Sequence, residues 1–118
     1  MRDHNKLRAF ELADEVAISI YRITREFPKE EVYGLTSQIR RGAVSVPSNI
    51  VEGCARESQT EYIRFLEIAF ASLREINYQF GLAIRLGYIE ESVASECNLK
   101  LEETERVLGA LIRSLRNS

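Results

Sequence analysis

Between Leu35 and Gly53, six residues (Leu35, Ile39, Gly42, Val46, Asn49 and Gly53) recur at spacings of 4, 3, 4, 3 and 4. That rhythm places them on one face of a single α-helix. Two of the six are glycines, and each costs a helix interior about 1 kcal/mol relative to alanine. A helix that accepts this cost twice on one face does so to bring its backbone close to a neighbour. Pro47 lies inside the same run. It removes one intrahelical hydrogen bond and predicts a bend or interruption near Ala43 to Val46. The reverse side carries Arg40 together with Val44 and Val51. A small bundle standing alone would place charges there, so the two valines are candidate subunit contacts.

Three more segments repeat the helical rhythm. The first helix is expected over about 6–26, with Ala9, Ala13, Val16, Ile20, Ile23 and Phe27 inward. Pro28 ends it, because the residue before a proline is pushed out of the α region. Lys29-Glu30-Glu31 forms a polar connection, unless the two glutamates already open the second helix, where acids suit the dipole. Gly34 is available there for an unusual backbone angle. The second helix spans about 34–55 and the third about 59–86, the third with Ser58 as N-cap and Glu61 completing a capping box. Tyr62, Leu66, Ala69, Leu73, Ile76, Phe80 and Ala83 give the third helix its seam. Ile63, Phe70 and Ile84 flank that seam on one side, and Phe65, Ile68 and Leu86 on the other. The apolar arc then exceeds half the circumference, whereas one bundle core asks for a stripe of about 100° or somewhat more. The surplus predicts self-association, with Phe65 and Ile68 joining Val44 and Val51 as candidate interface residues. Gly87 fits a left-handed C′ position, with Tyr88 and Ile89 folding back. The fourth helix is expected over 92–115 from Ser92, with Cys97, Leu101, Thr104, Leu108, Leu111 and Leu115 inward. Four amphipathic helices joined by short turns predict a single all-α domain over residues 1–118, an antiparallel up-down-up-down four-helix bundle.

The stretch YGLTSQIRRGAVSVPSNIVEG at Tyr33 to Gly53, followed by EYIRFLEIAFASLREINYQ, resembles the four-helix-bundle family encoded by intervening sequences in bacterial 23S rRNA genes. The most specific part is RR-x3-SVPSNI-x-EG at Arg40 to Gly53. Across Tyr33 to Gly53, Gly34, Gly42, Pro47, Asn49, Glu52 and Gly53 are the candidate structural positions. The likeness covers about Phe10 to Leu115. It departs from the family at Cys54-Ala55, where an aromatic or small residue is usual after the glycine. The resemblance implies a bundle assembled as a ring-shaped homopentamer. The chain is also similar to the accessory protein of diversity-generating retroelements, which implies a reverse transcriptase and nucleic acid as possible partners.

Chemistry is harder to find. A dinuclear metal site in a bundle needs Glu-x-x-His on two helices, and the single histidine is His4, in the N-terminal tail. The same shortage removes Ser–His and Cys–His catalysis. Cys54 and Cys97 lie on different helices, match no metal spacing and read as small packing residues. Gly34, Gly42 and Gly53 follow no strand, so no phosphate loop is present. No cofactor and no enzymatic activity are expected. Asn49 and Glu52 either line a polar pocket at the Pro47 bend or recapture backbone groups that the proline frees. Two thiols, no apolar leader and no membrane-length apolar run predict a cytoplasmic protein. Net charge is −2, which supplies no broad attraction for nucleic acid. Any such surface is assembled from scattered arginines. Arg40, Arg41, Arg56 and Arg64 are the candidates, with Tyr33, Tyr62 and Tyr78 as stacking faces. The competing reading pairs these arginines with glutamates or with a subunit contact.

Overall fold

The computed structural model describes all 118 residues. It contains four helices and no strand: α1 (Arg8–Thr24), α2 (Leu35–Cys54), α3 (Gln59–Arg85) and α4 (Glu91–Arg116). Single 3-10 turns at His4–Lys6 and Lys29–Glu31 precede α1 and α2. Each helix touches its neighbours in the chain, α1 also touches α4, and the diagonal pairs do not meet. Four helices in a closed square joined by short turns form the expected antiparallel bundle. The long dimension, 44 Å, matches a helix the length of α3 at about 1.5 Å per residue.

All seven seam residues of α3 are buried. On α2 the buried stripe is rotated from the one expected. Ile39, Ala43, Val46, Ile50 and Cys54 fill the core, while Leu35 and Asn49 are only half-buried. The glycines stand at the edge of that stripe and face α3. A Cβ on Gly42 would lie 3.1 Å from Ile76 Cγ1, and one on Gly53 would lie 3.0 Å from Phe65 Cβ. The two helices therefore approach as closely as the glycines were expected to allow. On α4, Ile112 takes the inward place expected of Leu111, which is half-buried along with Leu115.

Pro47 does not interrupt α2, which runs unbroken from Leu35 to Cys54. Neither proposed helper repairs the missing bond. The Asn49 amide donates to the Ser45 carbonyl at 2.8 Å and to Ser45 Oγ at 3.0 Å, and Glu52 turns outward to Arg56. The ends of α3 are as expected. Ser58 Oγ accepts from the Glu61 N–H at 3.1 Å. Gly87 has φ +79°, and the amides of Gly87 and Tyr88 donate back to Ile84 and Ala83. That is the Schellman pattern, in which only glycine is at ease. The fourth helix begins one residue earlier than expected, with Glu90 as its N-cap.

One carboxylate holds an end of the bundle together. Glu31 Oε1 accepts from the Leu35 N–H at 3.0 Å, and Glu31 Oε2 accepts from the Tyr88 hydroxyl at 2.9 Å. These bonds hold its carboxyl below the usual range, the backbone bond most of all. A Cβ on Gly34 would stand 2.8 Å from Glu31 Oε1, so the glycine makes room for this cap. The loop before α2 and the turn after α3 are thereby joined, with Phe27 packed against Tyr88 at 5.4 Å.

Candidate nucleic-acid interface

The four candidate arginines divide among three places. Arg40 belongs to the fold. Its Nε donates to Thr24 Oγ1 at 2.7 Å and its Nη2 to the Tyr21 carbonyl at 3.4 Å, with the guanidinium 4.9 Å from the Tyr21 ring. It ties α2 to the last turn of α1, where carbonyls lack helical partners. The guanidinium expected on a nucleic-acid surface is thus engaged within the subunit.

Arg56 and Arg64 meet at the opposite end of the bundle, on either side of the α2–α3 turn. Both guanidiniums lie over the Phe65 ring, at 4.8 and 4.9 Å. The N-terminal tail adds a third. Arg2 Nη1 donates to the Arg56 carbonyl at 2.7 Å, and its guanidinium stacks 4.0 Å from the Tyr62 ring. Glu52 pairs with Arg56 at 3.0 Å and Glu61 with Arg64 at 3.2 Å. Both pairs are about half exposed, and such pairs contribute about 0–1 kcal/mol, so an incoming anion displaces them at little cost. Phe65 is 8% exposed beneath these cations and against Gly53. It is therefore a floor within the subunit and not the subunit contact expected of it. Tyr62 is buried beside Cys54, and burial pushes its hydroxyl up to about 12. Cys97 is likewise pushed up to about 11 by burial. Both thiols are closed into the core.

Arg41 lies elsewhere again, exposed on the rim of an open groove of about 370 Å³ between α2 and α3. Gln38, Ser45, Ser72, Glu75 and Gln79 line the remainder, with Gly42 at the close approach. Ser45 Oγ and Ser72 Oγ are 2.9 Å apart and link the two helices. With Asn49 bonded to Ser45, a polar chain crosses the seam. Gln79 is 7% exposed, and its Oε1 has no hydrogen-bond partner.

The remaining interface candidates are solvent-facing. Val44 is 45% exposed, Val51 37% and Ile68 37%. Most of the wide arc of α3 is consumed inside the subunit: Phe65 is buried, and Ile63, Phe70 and Ile84 pack on the core. Ile68, Tyr78 and Leu86 stay exposed. The arc alone therefore does not demand a partner. Tyr33 is almost wholly exposed and stands over no arginine. No cluster of three or more His, Cys, Asp or Glu side chains converges as a metal ion would require. No helix is long and apolar enough to cross a membrane.

Arg2 and Gln79 were not anticipated, and Glu31 was anticipated only as an acid that could open the second helix. A signal for Gln79 existed, since Phe65, Ser72 and Gln79 are seven apart and form the column of α3 that faces α2. Arg2 left no such trace, because its partners are more than fifty residues away.

Comparison with known proteins adds the following. A crystal structure of a protein of unknown function from the S23 ribosomal protein family of Bacteroides thetaiotaomicron superposes with a TM-score of 0.81. It shares 24% identity over 89% of this chain and 95% of its own, a likeness of fold. No curated protein matches. The sequence pattern of the 23S rRNA-intervening sequence proteins matches residues 5–110. With that match over most of its length, and with the bundle now described, the chain belongs to the 23S rRNA-intervening sequence protein family.

Proposed function

We propose that the protein is a non-enzymatic, homo-oligomeric bundle that associates with RNA or DNA through arginines repeated around the assembly. The observation that carries this reading is the α2–α3 corner, where the guanidiniums of Arg2, Arg56 and Arg64 sit over the rings of Tyr62 and Phe65. Contact with a ring restrains each guanidinium, and the fork of N–H donors it carries suits phosphate geometry. Side chains already held in place lose less freedom when a ligand arrives. A net charge of −2 gives no long-range attraction, so affinity depends on how many copies of the corner one strand can touch.

Replacing Arg56 and Arg64 together by alanine is expected to weaken binding of a single-stranded oligonucleotide. It should also flatten the dependence of log K on log salt by about 1.4, some 0.7 per lost phosphate contact. Affinity and slope both unchanged would remove the corner from consideration. Arg40→Ala should lower stability and leave the salt slope alone.

A second reading is an accessory or scaffold subunit that docks a protein, such as the reverse transcriptase implied by the retroelement likeness. The exposed Val44 and Val51 support it, together with Ile18 and Tyr21 on α1, at 46% and 42% exposure. A complex with purified reverse transcriptase that persists in high salt, without nucleic acid, would favour it.

A further inference from the structure

The groove between α2 and α3 holds three polar side chains that the fold leaves unanswered. Gln79 is buried, and no donor reaches its Oε1. Turning the amide over only exchanges which of its atoms is stranded. Native folds keep few such atoms. Arg41 and Glu75 line the same groove with opposite charge, yet each makes neither an ion pair nor a hydrogen bond. Gly42 lets α2 close on α3 beside Gln79, since a Cβ there would stand 3.1 Å from Ile76 Cγ1. No lining residue carries a large apolar side chain, so the groove is not built for a greasy ligand.

Its two walls ask for different things. On α3, Glu75 and Gln79 are one turn apart; Glu75 offers a carboxylate, an acceptor, while Gln79, its Oε1 stranded inside, has its amide nitrogen, a donor, left for the groove. On α2, Arg41 offers only donors. A fitting ligand brings an amino group to α3 and an anion to α2.

We infer that this groove takes one unpaired nucleotide of a single strand, with an amino-bearing base on Glu75 and Gln79 and a phosphate on Arg41. The inference rests on the nucleic-acid reading above and adds a base preference to it. Glutamate accepts from the amino group of cytosine, and glutamine pairs with the amino edge of adenine. Uracil carries a carbonyl where cytosine carries that amine, so it would meet Glu75 acceptor to acceptor. Arg41 lies thirteen residues before Cys54, the end of α2, about 20 Å at 1.5 Å per residue, and Arg56 follows two residues beyond that end, a distance that a few further nucleotides can span.

Fluorescence anisotropy with labelled decamers of oligocytidylate, oligoadenylate and oligouridylate tests this on the intact protein. The cytidylate and adenylate decamers should bind on the order of ten-fold more tightly than uridylate at the same salt. Glu75→Ala and Gln79→Leu should each bring the three decamers together while preserving the salt slope set by Arg56 and Arg64. The first replaces an exposed residue by a good helix former, so it reports even if the second alters the core. Equal wild-type affinity for all three, with a normal salt slope, would overturn the base preference and leave the proposed function standing. A preference that survives both substitutions would overturn the groove as its source. Failure of all three decamers to bind would sink both.

Discussion

Gly53 and Gly81 are the same residue in the same kind of element, yet alanine is expected to act on them in opposite directions. At Gly53 the added methyl meets Phe65 Cβ at 3.0 Å and the Tyr62 carbonyl at 3.3 Å, so two backbones must part. Overpacking of that kind costs about 1–3 kcal/mol, which offsets or exceeds the helix propensity gained. At Gly81 nothing lies within 4 Å, and alanine should add about 1 kcal/mol of stability. Urea unfolding of the two variants checks the contrast, and a stabilised Gly53→Ala would mean the helices are less tightly opposed than described. Glu31 makes a prediction in pH. Its bonds to Leu35 and Tyr88 lower its folded-state pKa, so it binds protons less readily folded than unfolded. Its contribution is therefore complete above the ordinary glutamate value and is lost as pH falls through the lowered one. Glu31→Gln should flatten the acid limb of a stability–pH curve and leave the curve's shape near neutrality unchanged. An acid limb as steep as the wild type's would assign that limb to other carboxylates.

The third helix began and ended where local chemistry told it to, because a cap depends on a few consecutive residues. Ser58 and Gly87 both behave as their positions implied. Gly87→Ala forces a Cβ into the left-handed region and should cost about 1–2 kcal/mol, visible as a lower midpoint in thermal unfolding. A melting curve indistinguishable from the wild type would show that the turn relaxes to another geometry. Within α2 the periodicity was right and its phase was not. The stripe through Leu35, Gly42 and Asn49 marks the edge that slides against α3, while the core face is led by Ile39, Ala43, Val46 and Ile50. Hydrophobic spacing reports a period. Which side of a wide stripe ends up central depends on where two other helices stand. Pro47 was expected to bend or interrupt α2; the helix is not interrupted, because packing against neighbouring helices sustains it through one missing bond.

For the whole molecule, the expected surplus of apolar surface on α3 moved to a different face. Arg40 of α2 lies on Tyr21 of α1, and antiparallel packing sets Ile18 level with Val44, each one turn from that contact. Ile18, Tyr21, Val44 and Val51 are all exposed, which makes them a candidate apolar strip across α1 and α2. If the strip is a subunit contact, Val44→Glu with Val51→Glu should reduce the assembly to a 13.5 kDa species with unchanged helix content. Sedimentation velocity and circular dichroism read both quantities. A wild type that already sediments as a single 13.5 kDa particle at micromolar concentration would refute self-association through any face.

The arginines show the limit of reading a chain in one dimension. Arg40 and Arg41 are adjacent, so they were grouped, but a step of about 100° around a helix sends one to α1 and the other into the α2–α3 groove. Arg2 and Arg56 are 54 residues apart and touch. Helix number, the ends of α3, its seven-residue seam and the need for close approach at Gly42 and Gly53 were written in the sequence. Each rests on periodicity or on chemistry within a few residues. Which side chains met across helices was decided by tertiary packing alone, including the stacked arginine corner, the Glu31 clasp and the stranded Gln79. Such meetings depend on the rotation and register of whole helices against one another, and those are settled by every core residue together.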